Sequence, residues 1–176
     1  STLLPLTDIS DASGLADVND SIDNLAAFGG TAGHIGLGWG WYTLAPEWSS
    51  FWGADKAGRA YDKDRTIKIL LLMTDGMFNT AYRNGGESFV WPDAATTDKS
   101  KPGSSSYQAL RICDSIRALG GDVVVYTVGY QAPSEAEALL KECSGVENFM
   151  AADSASALIE SFKAIASKLS VLRVSG

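Results

Sequence analysis

Apolar residues fall into unbroken runs and evenly spaced sets along the chain, and the two kinds predict different elements. Ile67 to Met73 is a near-continuous apolar run of strand length. That is the pattern of a strand covered on both faces, and so of a parallel sheet sandwiched by helices. "DVVVYTVGY" at 122–130 is a second buried strand, rich in β-branched residues. "ENFMAA" at 147–152 is a short third, and Thr2 to Leu6 is an apolar stub resembling a strand end. Elsewhere apolar positions recur at helical spacing. The sets are Leu15, Val18, Ile22 and Leu25; Tyr107, Leu110, Cys113, Ile116 and Leu119; and Leu158, Phe162, Ile165, Leu169 and Leu172. Glycine pairs at 29–30 and 120–121 stop the first two. Ser134 with Glu137 makes a capping box that opens "PSEAEALLKEC", and Asp153 caps the last helix. His34 to Leu44 sets Ile35, Trp39 and Tyr42 on one helical face despite glycines at 36, 38 and 40, and Pro46 ends it.

From Ile67 onward the order is strand, helix, strand, helix, strand, helix. That predicts an α/β fold: a doubly wound, mostly parallel sheet with helices on both faces. In such sheets ligands gather beyond the carboxyl ends of the strands, where Asp75 sits. Residues 45–65 are loop-like. Residues 76–105 form a long loop rich in Gly, Asn, Ser and Pro, a length that accompanies function or disorder. No internal repeat or linker divides the chain, so residues 1–176 are expected to be one domain. If the strands follow one another in space, right-handed crossovers put the helices of Cys113 and Cys143 on one face.

Composition narrows the function classes. The formal charge is −7, which disfavours nucleic-acid phosphate and anionic membranes as partners and suits a cation site. No run approaches the roughly 20 apolar residues of a membrane span. The two cysteines, Cys113 and Cys143, have no zinc spacing. Two readings of them compete: small buried hydrophobes, or one staple between neighbouring helices in an oxidising compartment. With a single histidine, His34, no multi-histidine metal site or His-based triad forms within the chain. No nucleophile elbow or phosphate-binding glycine loop occurs, so enzymatic activity is not expected.

Two stretches carry candidate chemistry. In "KILLLMTDGMFN" a carboxylate, Asp75, leaves a buried strand beside glycine. It is either ordinary turn chemistry or a hard-cation ligand. In "GGTAGH" two glycines bring a loop close, and Thr31 is either the next helix's N-cap or a hydroxyl ligand. A hydroxyl with a carboxylate suits Mg2+, with Mn2+ or Ca2+ as alternatives. Asn79 and Tyr82 follow the Asp75 turn and are candidates for the rim of such a site; His34 is read first as packing or hydrogen-bonding near the loop, with a place on the rim as the alternative. Trp39, Trp41, Tyr42, Trp48, Phe51 and Trp52 form an aromatic cluster, read as packing unless Trp48 or Trp52 is exposed as a sugar platform.

"GGTAGHIGLGWGWYTLAPEW", "ILLLMTDGMFNTAY", "YTVGY" and "AIASKLSVLRV" together resemble the C-terminal part of TadG-like proteins of bacterial tight-adherence pilus assembly. These carry a von Willebrand factor type A domain. The resemblance runs from "LLPLT" at 3–7 to the C-terminus. It implies a metal-ion-dependent adhesion site in which Thr31 and Asp75 are ligands, Asp75 through water. The remaining ligands of that family come from an Asp-x-Ser-x-Ser motif after the central strand. Here "DISDAS" at 8–13 places Ala12 where the last serine belongs, so it is read as a turn and N-cap cluster. The resemblance therefore implies that the central strand and its ligands lie outside this chain, which leaves "KILLLMT" with an uncovered edge. The expected function is a non-enzymatic binding or assembly module of a bacterial pilus or adhesion system, periplasmic or extracellular. Its partners would be envelope proteins and the missing N-terminal segment. The alternative is a purely structural component of the same fold without a working metal site.

Overall fold

Strands form where aliphatic and β-branched residues run together, and helices where they recur every third or fourth position. The computed structural model describes residues 3–26, 29–62, 65–83, 87–90 and 97–174. The strands are β1 (Lys68–Thr74), β2 (Thr80–Arg83), β3 (Glu87–Val90), β4 (Val123–Tyr130) and β5 (Phe149–Ala152). The helices are α1 (Ala12–Asp23), α2 (Gly33–Leu44), α3 (Ser49–Trp52), α4 (Ser105–Arg117), α5 (Ser134–Ser144) and α6 (Ala155–Val174). The chain divides into two compact units, one of residues 1–29 with 39–61, the other of residues 30–38 with 62–176.

The second unit is mixed α/β. Its sheet has the order β1-β4-β5, all parallel. β1 pairs along its whole length, from Lys68 opposite Val123 to Thr74 opposite Gly129, while β5 meets only the second half of β4, starting with Phe149 opposite Thr127. Alternate side chains take opposite faces. Tyr126, Val128 and Ala152 form a core with Ile165 of α6, flanked by Ile69, Leu71, Val124, Leu158 and Leu169. On the other face the Thr127 hydroxyl donates to the Leu140 carbonyl of α5 at 3.1 Å. The spatial order is sequential, so right-handed crossovers place α4 and α5 side by side on this second face. A disulfide joins them: Cys113 and Cys143 are bonded with Cα atoms 5.2 Å apart. The Arg117 guanidinium adds a tie, donating to the carbonyls of Glu142 and Cys143 at 3.0 and 3.2 Å.

Several expectations change. The described strands run in sequence with no reversal of order, so the sheet is parallel and flanked by helices but not doubly wound within the described residues. β1 has no ladder partner on its other edge among the described residues, and it is only partly covered, with Met73 half exposed. The expected loop at 76–105 contains an antiparallel hairpin in which Thr80 opposes Val90 and Arg83 opposes Glu87; residues 84–86 and 91–96 lie outside the described residues. The expected loop at 45–65 contains a 3-10 turn at Pro46–Trp48 and the short α3. The third strand begins at Phe149 rather than Glu147, because Val146–Asn148 forms a 3-10 turn. At α5 the N-cap is Pro133 without a side-chain bond; Glu137 instead pairs with Lys141 at 3.1 Å. At α6 the cap is Ser154, not Asp153: its hydroxyl accepts the Ala157 N–H at 3.3 Å. Leu172 lies outside the described side chains, as Thr2 does outside the described residues.

In the first unit no strand forms from the Leu3–Leu6 stub among the described residues. α1 carries the expected stripe through Ile22 but ends at Asp23, short of Leu25 and of the glycine pair; Leu15, Ile22 and Leu25 are 48%, 57% and 62% exposed, and Gly14 is the helix's one buried residue. Asp11 caps α1 by accepting the Gly14 N–H at 2.8 Å, and Asp8 turns back onto the Ser10 N–H. "DISDAS" is thus a turn and N-cap cluster. The backbone hydrogen bond from Ser10, helped by its side chain, holds the Asp8 carboxyl below the usual range. The aromatic residues pack on one another. Tyr42 stacks on Trp48 with centroids 4.1 Å apart, Trp39 is edge-on to Tyr42, Trp48 and Trp52, and the Trp52 indole donates to the Tyr42 carbonyl at 2.9 Å. Trp48 and Trp52 are half-buried.

Candidate functional site

Asp75 follows the carboxyl end of β1, and Thr31, His34, Asn79 and Tyr82 belong to the same second unit. β1 stops at Thr74, whose hydroxyl bonds the backbone of Gly76 from both sides, accepting its N–H at 3.3 Å and donating to its carbonyl at 3.2 Å. That turn leaves Asp75 exposed at the strand tip. The chain then runs back through Phe78 and Asn79 into β2.

This returning segment captures the Thr31 loop from 48 residues away. The Asn79 side-chain oxygen accepts the Thr31 N–H at 2.7 Å. The Thr31 carbonyl accepts the N–H groups of Asn79 and Thr80 at 3.0 and 3.1 Å. Asn79 is therefore committed: its oxygen also takes the Thr80 hydroxyl at 3.1 Å. It is a clamp on the backbone rather than a member of a ligand rim. Tyr82, on β2, is 46% exposed. By contrast, the Thr31 hydroxyl and the Asp75 carboxylate have no hydrogen-bond or ion-pair partner among the described residues.

Thr31 is not the N-cap of α2. The helix starts at Gly33, and the carbonyl of Ala32 accepts its first backbone bonds, from Ile35 at 2.9 Å and Gly36 at 3.3 Å. Freed from capping, Thr31 keeps its hydroxyl available. Gly33 is required by a close approach: a β-carbon there would overlap the ring of Phe78, a fully buried side chain. His34 does not face a ligand site. It is buried, and its Nδ1 is 2.7 Å from the hydroxyl of Ser105, the first residue of α4. Burial pushes its imidazole below the ordinary histidine range. Ser104 caps α4 by accepting the Tyr107 N–H at 3.0 Å.

The donor set fits a hard cation in kind but not in number. A hydroxyl and a carboxylate are oxygen ligands of the sort Mg2+ takes. Among the described residues, however, no three His, Cys, Asp or Glu side chains lie together. Water or oxygens from elsewhere would have to fill the remaining positions. Phe78, Gly33 and Ser105 escaped the sequence reading, and Asn79 was read there as a rim residue and not as a clamp, because their roles depend on contacts with remote segments. The nearest sequence signal was the glycine at 33 in a helical first turn. Compared with known proteins, the chain matches no family model and no curated sequence. Among the described residues no helix is long and apolar enough to cross a membrane.

Proposed function

We propose that this chain is a non-enzymatic binding and assembly module of a bacterial adhesion or pilus system, of the TadG-like, von Willebrand type A kind. Its working surface is the carboxyl end of β1. There Thr31 and Asp75 are two ligands of an Mg2+, Mn2+ or Ca2+ site, and a partner carboxylate takes another position. The observation that carries the reading is the pinning of the Thr31 backbone to Asn79 and Thr80. It presents an uncommitted hydroxyl beside the segment that follows an uncommitted carboxylate. The edge of β1 that has no ladder partner among the described residues supports a second part of the proposal. Another segment or chain adds a parallel strand there and brings further oxygen ligands to the same end of the sheet. The disulfide between α4 and α5 fits an oxidising compartment such as the periplasm or cell exterior.

The second reading is a structural envelope component without a metal site, favoured by the small number of clustered ligand side chains. Titration of the protein with its envelope partners separates the two. Under the first reading Mg2+ or Mn2+ strengthens partner binding and Asp75→Ala abolishes that effect. Affinity indifferent to both the ion and the substitution establishes the second.

A further inference from the structure

We propose that His34 is a pH-sensitive latch that holds the first turn of α2, and with it the Thr31 loop, against the start of α4. The inference goes beyond the metal-site reading and does not need a bound ion.

The geometry sets an imidazole where a positive charge is penalised three ways. His34 is the second residue of α2, and its partner Ser105 is the first residue of α4. Two helix N-termini, each carrying partial positive charge, therefore meet at the ring. The residue is 4% exposed, so an imidazolium there loses its water. Among the described residues no counter-charge pairs with the ring. Gly33–Gly38 has no other ionisable side chain, and Gly76–Thr80 has none. Asp75, Asp98, Lys101, Tyr107 and Arg111, on the flanking stretches, make no hydrogen bond or ion pair with the ring among the described residues. The Ser105 hydroxyl, 2.7 Å from Nδ1, is its polar partner and is a neutral group that offsets little of an imidazolium's charge. The other side of this turn is closed by Phe78 against Gly33.

Protonation therefore favours states in which the turn has come away from α4. The sign follows from linkage. The folded imidazole binds its proton less readily than the unfolded one, so the latch is fully closed above the unfolded value of about 6.5. It loosens as pH falls from there toward the lower folded value. Within that window the opened fraction rises as pH falls, by no more than about tenfold per pH unit for the one proton involved. The Thr31 carbonyl loses its fixed position as the turn opens, so the amides of Asn79 and Thr80, which bond to it, report the change.

The test is an NMR titration between pH 7.5 and 5, and one histidine in the chain makes its ring signal unambiguous. The expected result is titration below 6.5, with hydrogen-exchange protection of the Asn79 and Thr80 amides, corrected for intrinsic rates, falling as pH drops through that window by up to about tenfold per pH unit. In His34→Gln the same protection is expected to be flat with pH. A ring that titrates at or above 6.5, or wild-type protection that does not change with pH, overturns the proposal. Both results come from the wild-type protein and stand even if the variant fails to fold.

Discussion

Breaking the Cys113–Cys143 bond should destabilise the protein chiefly through its unfolded state. The bond closes a loop with a sequence separation of 30. In the chain-entropy account, opening a loop of that size costs about 3.7 kcal/mol at 25 °C. The native geometry has reasons to survive. Arg117 still donates to the Glu142 and Cys143 carbonyls, Lys99 still pairs with Glu142, and both cysteines are buried among aliphatic neighbours. The perturbation is the Cys113→Ala, Cys143→Ala double variant, beside wild type in reductant. The assay is urea unfolding followed by far-UV circular dichroism. This signal reports the sheet and its helices, whereas most of the tryptophans lie in the other unit. With a urea slope of about 2 kcal/mol/M, the midpoint should fall by about 2 M, and the slope should rise because the uncrosslinked unfolded chain is more expanded. A loss below about 1 kcal/mol, by either route, would refute the reasoning. It would mean that helix packing and the arginine tie already restrict the unfolded chain.

Other outcomes follow from single contacts. Gly33→Ala drives a methyl into the Phe78 ring and should cost about 1–3 kcal/mol in urea unfolding; a cost under about 0.5 kcal/mol would show that the ring moves freely. Thr127→Val removes the hydroxyl that bonds the Leu140 carbonyl and the Ser144 hydroxyl, which keep their bond to each other. It should cost about 1–2 kcal/mol by the same assay, and a neutral effect would contradict that hydrogen-bond assignment. Leu15→Ser with Ile22→Ser, on the exposed stripe of α1, should change this chain's stability by no more than about 0.5 kcal/mol; a loss above about 1 kcal/mol would show that the stripe is covered. Asn79→Ala removes the acceptor of the Thr31 N–H and should cost about 1 kcal/mol, with lowered exchange protection at Thr31 as the specific sign.

The parts of the fold legible in the sequence are those with strong local patterns. Ile69–Met73 and Val123–Val128 are unbroken apolar or β-branched runs bounded by turn residues, and both are strands at the expected places. The stripe of α4 places Cys113 and Ile116 inward. Sequential strand order then puts Cys143 on the same face. The rest rests on nonlocal choices. β2 and β3 are four residues each, too short for alternation to outweigh the polar loop around them. The cap of α6 moved by one residue because Ser154 and Asp153 are equivalent in propensity, and only geometry selects the hydroxyl. The stripe of α1 announced a helix correctly, but nothing in its periodicity tells whether a partner covers it.

The candidate site was legible as residue types rather than as an arrangement. A threonine after glycines and an acid at a strand tip were visible as oxygen donors. That the Thr31 backbone is clamped by Asn79, while its hydroxyl stays uncommitted, depends on a contact across 48 residues. His34, read first as a packing or hydrogen-bonding residue and second as part of the rim, is buried and bonds Ser105 across 71 residues, a partner that no local pattern names.

The central claim is that the Thr31 hydroxyl and the Asp75 carboxylate converge on one divalent cation. Its most direct measurement is paramagnetic broadening of backbone amide signals during titration with Mn2+. The account predicts selective broadening around residues 30–33 and 75–79, reversed by excess Mg2+ and absent in Asp75→Ala. Broadening confined to the acidic positions Asp17, Asp20 and Asp23 of α1, or none at the tip of β1, would contradict it.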